Sequence, residues 1–177
     1  ALVADGGAVR IVGGAVRDAL LGLAVNDVDL ATPLRPETVI ARLEAAGIKA
    51  VPTGIAHGTV TAVAHGQPYE VTTLRRDVAT DGRRATVAFA DDWAEDAARR
   101  DFTVNALYAD PVSGAISDYH DGLADLAARR VRFIGDAGQR IDEDHLRILR
   151  YFRFAARFAD QFDPATLAVI GGRAESL

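Results

Sequence analysis

An α+β fold with a mixed β-sheet and mostly segregated helices is what this 177-residue sequence predicts. Three observations carry the prediction. The chain opens with an apolar run that breaks at Gly13-Gly14 into a helical pattern. Two alternating segments over 59–64 and 69–74 read as a hairpin, and an amphipathic stretch over 143–158 reads as a long helix.

Taken in order, residues 9–12 form the first strand, Gly13-Gly14 the turn, and 15–21 a helix closed by Gly22. A short strand over 28–31 and a turn at Pro33 precede a helix over 36–46. Pro36 needs no amide partner at a helix start, and Gly47 suits the left-handed residue at its end. His65-Gly66-Gln67-Pro68 joins the two hairpin strands. Residues 75–90 hold no sustained period and contain Asp81-Gly82, which predicts a mobile loop. A helix over 91–100 follows, then a strand over 106–109, a turn over 111–114, a short helix over 123–129 and a last strand over 131–134. The final helix, 143–158, places Leu146, Leu149, Phe152 and Ala156 on one stripe, and its phenylalanines read as core. Arg147, Arg150, Arg153 and Arg157 fall in an arc of about 120° beside that stripe. Little follows for this helix to pack on, so further partner helices are expected.

With 49% hydrophobic and 25% charged residues the chain is an ordinary globular sequence, not a disordered one. No apolar run approaches the roughly 20 residues of a membrane span, and the opening lacks a secretory pattern. The absence of cysteine excludes disulfides, thiolate metal sites and a catalytic thiol, and a cytoplasmic location is compatible with it. A net charge of −5 disfavours a free-standing, non-specific nucleic-acid binder. Nineteen arginines stand against the single Lys49, and residues 140–157 carry five of them, making that stretch locally positive. Methionine is absent and the chain opens on Ala1, so the sequence reads as a piece of a translation product.

Five constellations can carry chemistry. Gly13-Gly14-Ala15-Val16-Arg17-Asp18 joins a strand to a helix, where glycines admit a phosphate to the backbone and Arg17 can pair with it. A plain tight turn would use the same residues. Asn26-Asp27-Val28-Asp29 puts two carboxylates on one face of a strand, a costly pairing unless a cation neutralises it. Mg²⁺ uses one or two carboxylates plus substrate phosphates, and two such ions suit an in-line displacement. Glu70 could supply a third carboxylate, as base or metal ligand, or be an exposed edge glutamate. Arg99-Arg100-Asp101 ends a helix, where arginines complement the dipole; functionally, Arg100 and Asp101 would meet ribose and phosphates. Last, Asp144 one turn before Arg147 pairs an acceptor with a donor, matching the amino and ring-nitrogen groups shared by cytosine and adenine. The four histidines show no metal-ligand spacing.

GGAVRD, DVDLAT, YEVTTLR, RRDFTVNAL and EDHLRILRYFRF, in this order over residues 10–158, resemble the head and first neck helix of class II tRNA nucleotidyltransferases. That family comprises the CCA-adding enzymes and their bacterial poly(A) polymerase relatives. The resemblance implies a polymerase-β-like palm over 1–137, followed over 138–177 by the start of an all-α neck, with the family's body and tail domains outside the sequence. It implies two Mg²⁺ ions on Asp27 and Asp29, with Gly13, Gly14 and Arg17 on the triphosphate and Arg100 and Asp101 on ribose and phosphates. Asp144 and Arg147 would read the base edge of CTP or ATP, supported by Arg150 and Arg153. The implied reaction is template-independent transfer of CMP and AMP to a tRNA 3′ end, with no membrane partner. Residues 75–90 resemble the flexible loop of the complete CCA-adding and A-adding members. The alternatives are a poly(A) polymerase, an A-only or CC-only enzyme, and a non-catalytic nucleotide-binding or scaffold module.

Overall fold

A computed structural model of the chain describes residues 1–81 and 84–174. Its main sheet has seven strands in the order β3-β4-β5-β2-β1-β8-β9. In chain order these are β1 (Arg10–Val12), β2 (Asp29–Thr32), β3 (Lys49–Gly54), β4 (Thr59–Ala64), β5 (Gln67–Thr73), β8 (Leu107–Ala109) and β9 (Ile116–Asp118). Only β2 and β5 pair in parallel; every other neighbour is antiparallel, so the sheet is mixed as expected. Helix α1 (Gly14–Leu20) follows β1 directly, and α2 (Pro36–Ala45) connects β2 to β3.

Register decides which side chains share a face. Ile11, Leu30, Val71 and Val60 stand in one row across β1, β2, β5 and β4. Leu30, Val71 and Val60 lie in the core that α2 closes with Val39 and Leu43. The next row, Val12, Asp29, Glu70 and Thr61, faces the other side. There a second core forms from Val12, Ala31, Leu74, Ala97 and Tyr108, which includes helix α3 (Trp93–Ala98), while Asp29 and Glu70 stay exposed. The alternation of Thr59–Ala64 (Val60 and Ala62 buried) is the period-two pattern the sequence shows.

A third core joins α1 to α4 (Gly122–Ala127), α5 (Ala137–Glu143), α6 (Leu146–Phe158) and α7 (Pro164–Gly171) through Val16, Leu126, Ile141, Ile148, Tyr151, Phe158 and Ile170, packed around Phe102 and Phe133. Tyr151 stacks on Phe133 with ring centroids 5.8 Å apart. The residues after 137 therefore share a core with those before it.

Several expectations need correction. Residues 75–90 form a two-stranded ribbon, β6 (Arg75–Asp81) with β7 (Arg84–Phe89), where a loop was predicted; Gly82 and Arg83 lie outside the described residues. The expected strand over 131–134 contributes one isolated bridge, Phe102 with Phe133. The long helix expected over 143–158 begins only at Leu146, because Asp144 is extended (φ −157°, ψ 104°), and Glu143 ends the separate helix α5. Strand β3 was not foreseen, since Pro52 and a register shift between Val51 and Gly54 erase its period. Short β9 and α7 were not foreseen either. Helix α6 buries Ile148, Tyr151, Ala155 and Phe158, whereas Leu146, Leu149 and Phe152 are exposed. Among the described residues no helix is long and apolar enough to cross a membrane.

Candidate functional site

The site is built around the β1–α1 turn. Gly13 has φ 72° and ψ −126°, a conformation that L side chains rarely adopt, and its amide donates to the Leu107 carbonyl at 3.0 Å. A Cβ here would stand 3.6 Å from Nη1 of Arg100. That guanidinium is fixed from behind. Its Nε and Nη2 donate to Asp96 Oδ2 (3.3 and 3.0 Å), and Nε also reaches the Tyr108 hydroxyl at 3.2 Å. Asp96 is buried and accepts as well from the Tyr108 hydroxyl (2.7 Å), Arg99 Nε (2.9 Å) and the Arg75 amide (3.1 Å). Burial works against its charge, but Arg100, Arg99 and these donors overcome it and hold the carboxyl at about 2. Nη1 of Arg100 makes no hydrogen bond among the described residues and is left toward the turn.

Asp27 precedes β2, and Asp29 is its first residue, in register with Glu70 of β5. The three carboxylates line an open cavity of about 530 Å³ with Asn26, Thr61 and Gln67. The Asp29 carboxyl is pushed above the usual carboxylate range. Partial desolvation of the carboxyl, in a residue that is exposed as a whole, is the largest cause; Arg100 opposes it and the like charge of Asp27 adds to it. Arg100 thus acts on both the glycine turn and the carboxylate pair.

Arg17 is buried beneath the turn. It pairs with Asp18 at 2.7 Å and donates from Nη1 to Asn105 Oδ1 at 2.5 Å. Its guanidinium lies 4.1 Å from the Phe158 ring centroid, stacked on α6. Asp101 is also interior. Its Oδ2 accepts from Arg150 Nε and Nη2 (2.8 and 2.5 Å), and its Oδ1 from the Phe102 amide and Asn105 Nδ2 (2.8 and 3.1 Å).

Asp144 sits at the break between α5 and α6, its Oδ1 accepting from the Leu146 amide at 3.0 Å. Arg147 donates from Nη1 to Glu143 Oε2 (2.7 Å) and to the Arg140 carbonyl (2.9 Å). Arg140 in turn reaches the Ala98 carbonyl at the end of α3, tying this corner to the helix that carries Asp96 and leads into Arg100. Among the described residues Asp144 and Arg147 do not pair with each other through side chains, and no bond engages Asp144 Oδ2 or Arg147 Nη2. Arg153 is exposed, 5.3 Å from the Phe154 ring centroid.

The structure therefore groups Gly13, Gly14, Arg100, Asp27, Asp29 and Glu70 at one end of the sheet, and Asp144 and Arg147 at the α5–α6 break. It sets Arg17 and Asp101 in the interior between them. Sequence reading missed Asp96, Tyr108 and Asn105. Asp96 carries the signal of two arginines three and four residues on, and Asn105 that of an amide between buried Val104 and Ala106.

Among the described residues no three or more His, Cys, Asp or Glu side chains gather as a metal cage. Mg²⁺ does not require one, because substrate phosphates and water complete its shell. Asp27 and Asp29, mutually repelling and open to the cavity, are a donor set that fits it.

The poly A polymerase head domain family model matches residues 9–132. Human mitochondrial CCA tRNA nucleotidyltransferase 1 is 47% identical over 173 residues, covering 96% of this chain and 40% of the relative. A crystal structure of the Bacillus stearothermophilus CCA-adding enzyme in complex with CTP superimposes with a TM-score of 0.84 at 40% identity, covering 96% of this chain and 40% of that one. A tRNA nucleotidyltransferase complexed with a primer tRNA and an incoming ATP analog gives 0.79 at 30% identity, over 97% and 48%. The chain thus spans about two fifths of the length of the curated relative it matches.

Proposed function

The chain belongs to the poly A polymerase head domain family, and from that premise we propose that it is the nucleotide-transferring head of a CCA-adding enzyme. In this reading it moves CMP and AMP from CTP and ATP to the 3′ end of tRNA, with 1–137 as the catalytic palm and 138–177 as the start of a helical neck, in a cytoplasmic setting. One observation carries it. A carboxylate pair, a fixed arginine and a glycine turn share one end of the sheet, joined through the Arg140–Ala98 contact to an acceptor–donor corner suited to a base edge. The named ligands of the relatives, CTP, an ATP analog and tRNA, support the same reading.

Each residue has a task. The Gly13-Gly14 turn lets the triphosphate approach the backbone, and Nη1 of Arg100 neutralises it there. Asp27 and Asp29 would hold Mg²⁺, which supplies charge neutralisation for the attacking 3′-oxygen and the departing pyrophosphate. Asp144 accepts from an exocyclic amino group while Arg147 donates to a ring nitrogen, an arrangement that cytosine and adenine satisfy. Uracil and guanine would set a carbonyl oxygen against the carboxylate. Glu70, opposite Asp29 in the same cavity, would take the proton of the attacking hydroxyl. Arg17, Asp101, Arg150 and Arg153 serve the nucleotide from the interior and from α6.

The test is extension, at single-nucleotide resolution, of a tRNA lacking its CCA end, with CTP, ATP or both. Two C residues and one A, then a stop, are expected. A run of A from ATP alone would make the chain a poly(A) polymerase head, and incorporation that survives Asp29→Ala would overturn the carboxylate assignment.

A further inference from the structure

Among the described residues Asn105 is the only side chain hydrogen-bonded to both interior charges of the site. Its Oδ1 accepts from Arg17 Nη1 at 2.5 Å, and its Nδ2 donates to Asp101 Oδ1 at 3.1 Å. Arg17 belongs to α1, immediately behind the glycine turn, and is held on its other side by Asp18. Asp101 is held on its other side by Arg150 of α6. The result is one continuous chain, Asp18–Arg17–Asn105–Asp101–Arg150, buried at its three middle members and partly exposed at both ends, running from the turn helix to the helix that follows Asp144. Arg17 also stacks on Phe154 and Phe158 of that same helix.

The amide is the one group whose two ends match this position. A carboxylate would satisfy Arg17 but set a second acceptor against Asp101; an ammonium would do the opposite; an apolar side chain would leave Arg17 with Asp18, and Asp101 with Arg150 and the Phe102 amide, but nothing joining the two pairs. Asn105 is itself 8% exposed, so water does not readily replace it.

We propose that Asn105 is a positioning residue that couples helix α6 to the Gly13-Gly14 turn, so that a nucleotide gripped at one is felt at the other. The second half of that statement rests on the nucleotide-transfer reading above; the first half does not. Displacing Arg150 frees Asp101, Asp101 releases the Asn105 amide, and Arg17 loses the acceptor that fixes α1 under the turn.

The experiment is amide hydrogen exchange of the whole 177-residue chain at residues 17–21. Arg150→Met should speed exchange there roughly tenfold when Asn105 is present and have no further effect in an Asn105→Leu background. An equal effect in both backgrounds, or none in either, overturns the coupling. If Asn105→Leu does not fold, Asn105→Asp gives the same comparison, since it keeps the acceptor for Arg17 and removes the donor to Asp101. A second arm adds CTP with Mg²⁺. Protection should rise in α1 and α6 of the unmutated chain, but in α6 alone when Asn105 is Leu. If CTP protects neither helix in the unmutated chain, the nucleotide reading fails, while the first arm still decides the coupling.

Discussion

Asp96 is the residue on which the site's charge geometry depends. A buried carboxylate with this many donors is strongly held in its charged form, and the sign of its pH dependence follows. Its folded pKa of about 2 lies below the ordinary 3.8, so its stabilisation is complete above about pH 4 and is lost as pH falls through 2. That difference corresponds to something on the order of 2 kcal/mol. Asp96→Asn should therefore lower Tm at pH 7 and flatten the loss of stability between pH 4 and 2, a comparison thermal melts can make. It should also weaken nucleotide binding, because Arg100 loses its anchor. Asp29→Ala should do the reverse: Tm nearly unchanged, since Asp29 is exposed, with transfer abolished. At this scale the sequence was informative where chemistry repeats a spacing. Asp27 and Asp29 line one cavity as their spacing suggested, although Asp27 lies just before β2 and not on it. Asp96 was not legible because Asp-x-x-Arg-Arg on a short helix has the pattern of solvated surface pairs, which contribute little. Only the fold brings Tyr108 and the Arg75 amide onto the same carboxylate. Arg17, read as a phosphate ligand from its place one turn into α1, lies buried between Asp18 and Asn105, partners that its local sequence shows only in part.

Helix α6 shows where element-level reading succeeds and stops. The helix was evident from its composition, yet it carries two apolar stripes, and local sequence does not say which one the neighbouring elements cover. The aromatic rings of Phe102 and Phe133, distant in sequence, select the stripe of Ile148, Tyr151, Ala155 and Phe158. Ile148→Ala should cost about 2–5 kcal/mol as a cavity mutation. Leu149→Ala, at a position 55% exposed, should stay within about 0.5 kcal/mol. Urea denaturation of the two variants checks this, and equal losses would contradict the assignment of the buried face. The ribbon β6–β7 escaped prediction because Asp81-Gly82 looked like the middle of a loop. Its base is fastened by contacts that no local pattern shows: the Arg75 amide on Asp96, the Arg75 side chain on the His57 carbonyl, and Phe89 against Gly58.

Across the whole molecule, the mixed sheet does one thing for the site. Its register sends Leu30 and Val71 into the core under α2 and turns Asp29 and Glu70 outward on the next row, so the carboxylates follow from the same alternation that builds the core. The helices after 137 pack into the same interior as α1. The α5–α6 corner proposed to read the base edge therefore stands at a fixed place relative to the carboxylates, which a freely jointed neck would not provide. The α+β class and the five ordered motifs were legible; the single parallel pair, the break at Asp144 and the interior polar chain came only with the fold. The central claim is that this face holds a nucleoside triphosphate and selects by base edge. Calorimetric titration of the 177-residue chain with CTP, ATP, UTP and GTP in Mg²⁺ tests it most directly. CTP and ATP should bind at least roughly tenfold more tightly than UTP and GTP, with the preference lost in Asp144→Ala, because each mismatched edge costs about 1–3 kcal/mol. Equal affinity for all four, or a preference that survives Asp144→Ala, would contradict it.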